Sequence, residues 1–145
     1  MKYFKSITFF VFFLFSFETH SDYQIQTLSG VVDGYKKGKV LYWEDIPYAE
    51  PPIGQLRWKA PREINRPNQI ISPKDENYCV QRPSSLGGAE GDEAYVGQED
   101  CLYLDISAPK NKQSKSLPVM FWIHGGGNTS GLKDLYDFNK MVKRH

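Results

Sequence analysis

Val119-Met120-Phe121-Trp122-Ile123-His124-Gly125-Gly126-Gly127 is the stretch of this 145-residue chain that decides its fold. Residues 119–123 are apolar without interruption. A run this short with no polar alternation fits a strand covered on both faces of a sheet, the usual setting of a parallel strand. Three glycines follow at once. Glycine lets the backbone turn sharply and approach another molecule without a Cβ in the way. Glycines at the carboxyl end of such a strand put several backbone N–H groups where open α/β sheets take ligands. Converging N–H donors stabilise an oxygen that gains negative charge during a reaction, and losing one such donor costs about 3 to 4 kcal/mol.

Downstream, Asp137 is placed to cap a short helix in which Phe138, Met141 and Val142 share a face. Upstream, Leu102, Leu104 and Ile106 alternate with Tyr103, Asp105 and Ser107, the pattern of a half-buried strand. Residues 109–116 are polar and lysine-rich, hence a solvated loop. Residues 65–98 read as surface loops. Residues 47–67 hold Pro47, Pro51, Pro52, Pro61 and Pro67, and no helix or central strand persists through that spacing. The same segment carries Ile46, Tyr48, Ile53, Leu56 and Trp58 around it, so it is expected to pack on the body of the protein. Near the start, Asp33-Gly34 is a hairpin turn signal, with residues 40–43 as the return strand. One strand of fully buried character needs parallel neighbours, and the chain closes inside a helical pattern at His145. The expectation is a fragment, or a truncated product.

The chain has 18 Lys+Arg and 17 Asp+Glu, a formal net charge of +1. No like-charge block suggests nucleic acid or a membrane surface as partner. Seven of the nine Phe lie within residues 1–17, where Lys2 and Lys5 precede an 11-residue apolar run from Ile7 to Phe17. A basic start before a run of that length is the pattern of a secretory signal peptide, here residues 1–21. It is short for a membrane span, which needs about 20 apolar residues. An uncleaved anchor or a buried helix are the alternatives. Without Lys2, Lys5 and Glu18 the remainder has 16 basic and 16 acidic residues. Export implies an oxidising compartment, extracellular or periplasmic, where the two cysteines, Cys79 and Cys101, favour a disulfide. It would close a loop of about 23 residues, worth roughly 3 kcal/mol by the chain-entropy model. Two cysteines without clustered histidines do not make a metal site.

A His-Gly-Gly-Gly motif belongs to the oxyanion hole of α/β-hydrolase lipases and esterases. Two further stretches sharpen the likeness. Residues 46–54, Ile-Pro-Tyr-Ala-Glu-Pro-Pro-Ile-Gly, followed by Leu56-Arg57-Trp58, resemble the amino-terminal signature of type-B carboxylesterases, the carboxylesterase/cholinesterase family. Residues 99–106, Glu-Asp-Cys-Leu-Tyr-Leu-Asp-Ile, resemble its second signature. With Trp122 to Gly127, three motifs stand in family order across nearly all of residues 23–145. The resemblance implies the amino-terminal part of an α/β-hydrolase: antiparallel first strands leading into a mostly parallel central sheet, incomplete here. It implies Gly126 and Gly127 as oxyanion donors, a Cys79–Cys101 disulfide, and an Arg57–Glu99 ion pair tying the proline segment to the sheet. It implies a small-molecule ester as substrate, an acyl-serine mechanism, and no cofactor.

The position after the triplet, often aromatic or aliphatic in the family, is Asn128, which would make the acyl pocket more polar. Asn128-Thr129-Ser130 is a glycosylation sequon, but a glycan there would block the substrate. Catalysis in the family needs Gly-x-Ser-x-Gly, then an acid, then a histidine. Residues 1–145 contain no Gly-x-Ser-x-Gly; in residues 127–131 the serine, Ser130, falls one place late. His20, His124 and His145 are not credible triad members. Residues 22–145 are therefore expected to be a domain portion that stops before the nucleophile and is inactive by itself. The rival readings are a non-catalytic, cholinesterase-like binding or adhesion protein and a truncated product without activity.

Overall fold

The structure, a computed structural model, describes residues 22–74, 76–111 and 116–144. The expected signal segment, residues 1–21, lies outside them. Strands β1 (Ile25–Gln26) and β2 (Val31–Val32) pair antiparallel, and β5 (Ile70–Ile71) joins β2 in parallel. A second sheet is antiparallel throughout, in the order β3 (Tyr35–Lys37), β4 (Val40–Pro47), β6 (Tyr103–Pro109).

The core lies where the two sheets meet. Val32 and Ile71 from the first sheet pack with Leu41, Trp43 and Ile46 from β4, and Leu104 and Ala108 of β6 close over them. The Trp43 indole N–H donates to the Tyr23 carbonyl at 2.6 Å, so burying the ring leaves no orphaned donor. Among the residues expected to alternate on β6, Ile106 remains 42% exposed while Leu104 joins the core.

Three sequence expectations need correction. The hairpin turn is not Asp33-Gly34. Lys37 pairs with Val40, so the two-residue loop is Gly38-Lys39, with Gly38 at φ +63°. Asp33-Gly34 instead carries the chain from the first sheet to the second. Gly34 is needed there because a Cβ would lie 2.4 Å from the Trp43 indole nitrogen. The proline segment packs only in part: Ala49 and Ile64 are buried, but Tyr48 and Ile53 are half-exposed and Trp58 projects into solvent. Residues 65–98 are more than surface loop. They supply β5, two isolated bridges (Cys79 to Gln98 and Gln81 to Val96), and buried Asn77, Gln81 and Ala89.

The decisive apolar run also differs. Residues 119–123 belong to neither sheet among the described residues, and Val119 and Phe121 are 92% and 78% exposed. A strand apolar on both faces forms only between two neighbours, and no parallel partner for it occurs among the described residues. Trp122 alone turns inward, edge-on to Tyr136 and Phe138 with ring centroids 4.7 and 5.0 Å away. The following helix, α1 (Asn139–Val142), is one turn long. The N-cap position is Phe138, not Asp137 as expected; Asp137 lies one residue earlier, and its carboxylate accepts from the Asn139 N–H at 2.8 Å. Phe138 and Val142 are half-buried on α1, and Met141 is exposed.

β4 carries one irregularity that matters for the site. Its register with β6 slips between Trp43 and Ile46, so three residue steps on β4 span two on β6. This bulge puts Asp45 at φ +58° and turns its carboxylate inward, where it is buried.

Candidate functional site

The glycine segment forms a compact loop that returns on itself. Thr129 N–H and Ser130 N–H both donate to the Gly126 carbonyl, at 3.1 and 3.2 Å, and the Thr129 hydroxyl adds a third bond at 2.9 Å. Gly127 and Asn128, the two central residues, have φ of +63° and +58°. Two consecutive positive φ values closed by an i to i+3 bond are what a type I′ turn requires. Gly126 sits at φ +126°, and a Cβ there would lie 1.7 Å from the Ser130 carbonyl oxygen. The first and last residues of the loop also meet: a Cβ on Gly131 would lie 2.6 Å from the Gly125 oxygen.

Gly126 and Gly127 are exposed residues, and their N–H groups donate to no acceptor among the described residues. They are the two N–H groups that the family resemblance singled out. On the Thr129–Ser130 side of the loop opens a cavity of about 410 Å³, lined also by Gln81, Arg82, Ser84 and Tyr95. His124 Nδ1 lies 2.9 Å from the Gly125 carbonyl oxygen, so this ring faces its own loop.

Asn128 has a conformational reason for its identity. Left-handed backbone costs an ordinary L-residue roughly 1–2 kcal/mol, and asparagine bears it best after glycine. Asn128→Gly is expected to leave stability unchanged or slightly higher. Asn128→Val is expected to lose about 1–2 kcal/mol. Urea unfolding of the three chains checks this, and a Val variant as stable as the Gly variant would contradict the turn assignment.

Two anchors hold the loop to the rest of the molecule. The first is Gln81, which is 6% exposed. Its carboxamide oxygen accepts from Gly131 N–H at 2.9 Å and Ala89 N–H at 3.4 Å, and its NH₂ donates to the Gly131 and Cys79 carbonyls at 3.0 Å each. The second is Lys133, two residues beyond the loop. Its ammonium lies 3.1 Å from Asp45, 2.8 Å from Asp105 and 2.7 Å from Asp134. Asp45 is further fixed by the Lys74 N–H at 2.8 Å and by Asn77, while its own N–H donates to Asp105 at 2.9 Å. Burial pulls the Lys133 pKa down, but the hydrogen bonds to Asp105 and Asp134 outweigh it and leave it raised. Burial lifts the Asp105 carboxyl above its ordinary range, against the opposing pull of Lys133.

The remaining residues singled out from the sequence lie around this core. Cys79 and Cys101 form a disulfide with Cα atoms 4.9 Å apart. Arg57 Nε is 2.9 Å from Glu99 Oε1, and both side chains are about half-exposed, so the pair contributes at most about 0–1 kcal/mol. Sequence reasoning missed Gln81, Lys133 and Asp45. Polar residues in apparent loops give no pattern that marks them as buried. His20 and His145 lie outside the described residues.

The carboxylesterase family model matches residues 21–145. The para-nitrobenzyl esterase of Bacillus subtilis (strain 168) is 38% identical over 120 residues, covering 81% of this chain and 24% of that protein. The acetylcholinesterase of Electrophorus electricus is 33% identical over 156 residues, covering 94% and 25%. Among solved structures, a PNB esterase superposes with a TM-score of 0.70 at 35% identity, over 87% of this chain and 26% of that one. The chain thus spans about a quarter of the length of these relatives, and its fold is part of an α/β-hydrolase. From residue 21 onward, through both signatures and the glycine loop, this chain belongs to the carboxylesterase family.

Proposed function

We propose that the chain is the oxyanion-binding section of a carboxylic ester hydrolase that works through an acyl-serine intermediate. The observation that carries this reading is the pair of unengaged N–H groups on Gly126 and Gly127, held in a closed turn within a carboxylesterase sequence. In this reaction a serine oxygen adds to the ester carbonyl carbon, and a histidine takes the serine proton. The carbonyl oxygen becomes an oxyanion, which the two glycine N–H groups stabilise. The alcohol then departs with that proton, and water repeats the sequence on the acyl-enzyme.

The serine elbow, acid and histidine must come from sequence outside residues 1–145, so this chain alone is inactive. The substrate is a small-molecule ester, and no cofactor is required. The protein is exported to the periplasm or beyond the cell, which the basic-then-apolar start and the disulfide support. Among the described residues no helix is long and apolar enough to cross a membrane.

The test is a graft. Residues 22–145 replace the matching segment of the Bacillus subtilis para-nitrobenzyl esterase, and the chimera is assayed with a para-nitrophenyl ester. Hydrolysis is expected, while the 145-residue chain alone stays unlabelled by a fluorophosphonate serine probe. A folded but inert chimera overturns the hydrolase reading, and labelling of the chain alone overturns its inactivity.

A further inference from the structure

We propose that Gln81 is a positioning residue for the oxyanion-binding turn, acting through the backbone of Gly131. The inference rests on the hydrolase reading for its catalytic meaning, but its geometry stands independently.

A primary carboxamide can make four hydrogen bonds, two through each end. Gln81 makes all four, and each goes to backbone: Gly131 N–H, Gly131 carbonyl, Ala89 N–H and Cys79 carbonyl. Two of them close on one residue, so the amide pairs with Gly131 as a neighbouring strand would. A buried side chain this fully bonded has one orientation available, and everything bonded to it shares that orientation. Its own backbone is fixed as well, by reciprocal bonds with Val96 at 2.9 Å.

The chain of contacts from Gly131 to the donors is short. Gly131 packs against Gly125, Ser130 packs against Gly126, and the Ser130 N–H bonds the Gly126 carbonyl. Holding Gly131 therefore fixes the direction in which the Gly126 and Gly127 N–H groups point. Gly88 completes the mould, because a Cβ there would lie 3.0 Å from both Gln81 Oε1 and the Ser130 Cβ. The 79–98 segment, pinned by the disulfide, is thus the surface on which the turn is shaped.

The test compares the ¹⁵N-labelled 145-residue chain with Gln81→Met, which keeps the volume and removes the bonds, and Gln81→Glu, which keeps the acceptor. Amide hydrogen exchange is read at Thr129, Ser130 and Gly131 and, as a reference, at Leu41 and Trp43 in β4. Met is expected to speed exchange in the turn by about one to two orders of magnitude, with β4 unchanged. Glu is expected to restore part of the protection at Gly131. Equal acceleration in β4 and the turn, or no change in the turn, overturns the proposal.

The grafted enzyme gives a second readout. Gln81→Met is expected to lower kcat about ten- to hundredfold with KM little changed, the split expected of lost transition-state geometry. An active graft that is indifferent to Gln81→Met overturns the positioning role, whereas a graft inert before any substitution overturns the hydrolase reading instead.

Discussion

Gly126→Ala is expected to lower kcat of the grafted enzyme by at least about a hundredfold, with KM changed no more than a few-fold. Two independent constraints meet at this residue. Its φ of +126° lies outside the regions open to L-residues, and the new methyl would sit 1.7 Å from the Ser130 carbonyl oxygen. That oxygen is backbone within the same turn and cannot rotate away. The turn must open, and the N–H groups it aims must move with it. Gly127→Ala is the matched control. Its φ of +63° is left-handed, but a Cβ there meets nothing within 4 Å. Only the conformational cost remains, about 1–2 kcal/mol, or roughly tenfold. Steady-state kinetics on a para-nitrophenyl ester separates the two, and equal losses would remove the distinction drawn from the turn's geometry.

Lys133→Met carries the largest expected loss of stability, about 3–5 kcal/mol, because it leaves buried carboxylates without their cation. The Lys133 and Asp45 side chains are only 17% and 4% exposed, so water does little to screen the pair. For a domain whose whole stability is of the order of 5–15 kcal/mol, such a loss is visible in any unfolding experiment. The sign of its pH dependence follows from the groups left behind. Carboxyls deprived of a cation in a buried site bind protons more tightly folded than unfolded, so the variant recovers stability as pH falls toward about 4. In the parent chain the Lys133 pKa is raised on folding. Its contribution is complete below about pH 10, the ordinary lysine range, and is lost as pH rises through the folded value. Urea midpoints of both chains between about pH 4 and 8 test this. A gap that widens on acidification, or stays under 1 kcal/mol throughout, would show that Lys133 is not the counter-charge.

The sequence was most legible where a residue's chemistry acts locally. The glycine turn and β6 follow from residues whose influence reaches only a few positions along the chain. It was least legible where a partner is distant in the chain. Asp33-Gly34 has the chemistry of a hairpin turn, yet the choice between it and Gly38-Lys39 is settled by Trp43, whose indole fills the space beside Gly34. Residues 119–123 advertise a strand, but strand formation depends on neighbours that a local pattern does not supply. Gln81 looks like any polar loop residue until Gly131, 50 positions later, is placed against it. Asn128 read as a change in pocket polarity, whereas the structure shows a left-handed backbone position that asparagine tolerates.

Apart from Lys133 and its neighbour Asp134, the residues that hold the glycine loop share a direction. Asp45, Asn77, Cys79, Gln81, Ala89, Cys101 and Asp105 all precede residue 124. A ribosome therefore delivers the mould before the part cast in it. At ordinary synthesis rates of about 5–20 residues per second, several seconds separate Asp45 from Lys133. In that interval β3 and β4 have time to pair, and the glycine turn has part of its template to settle against as it emerges.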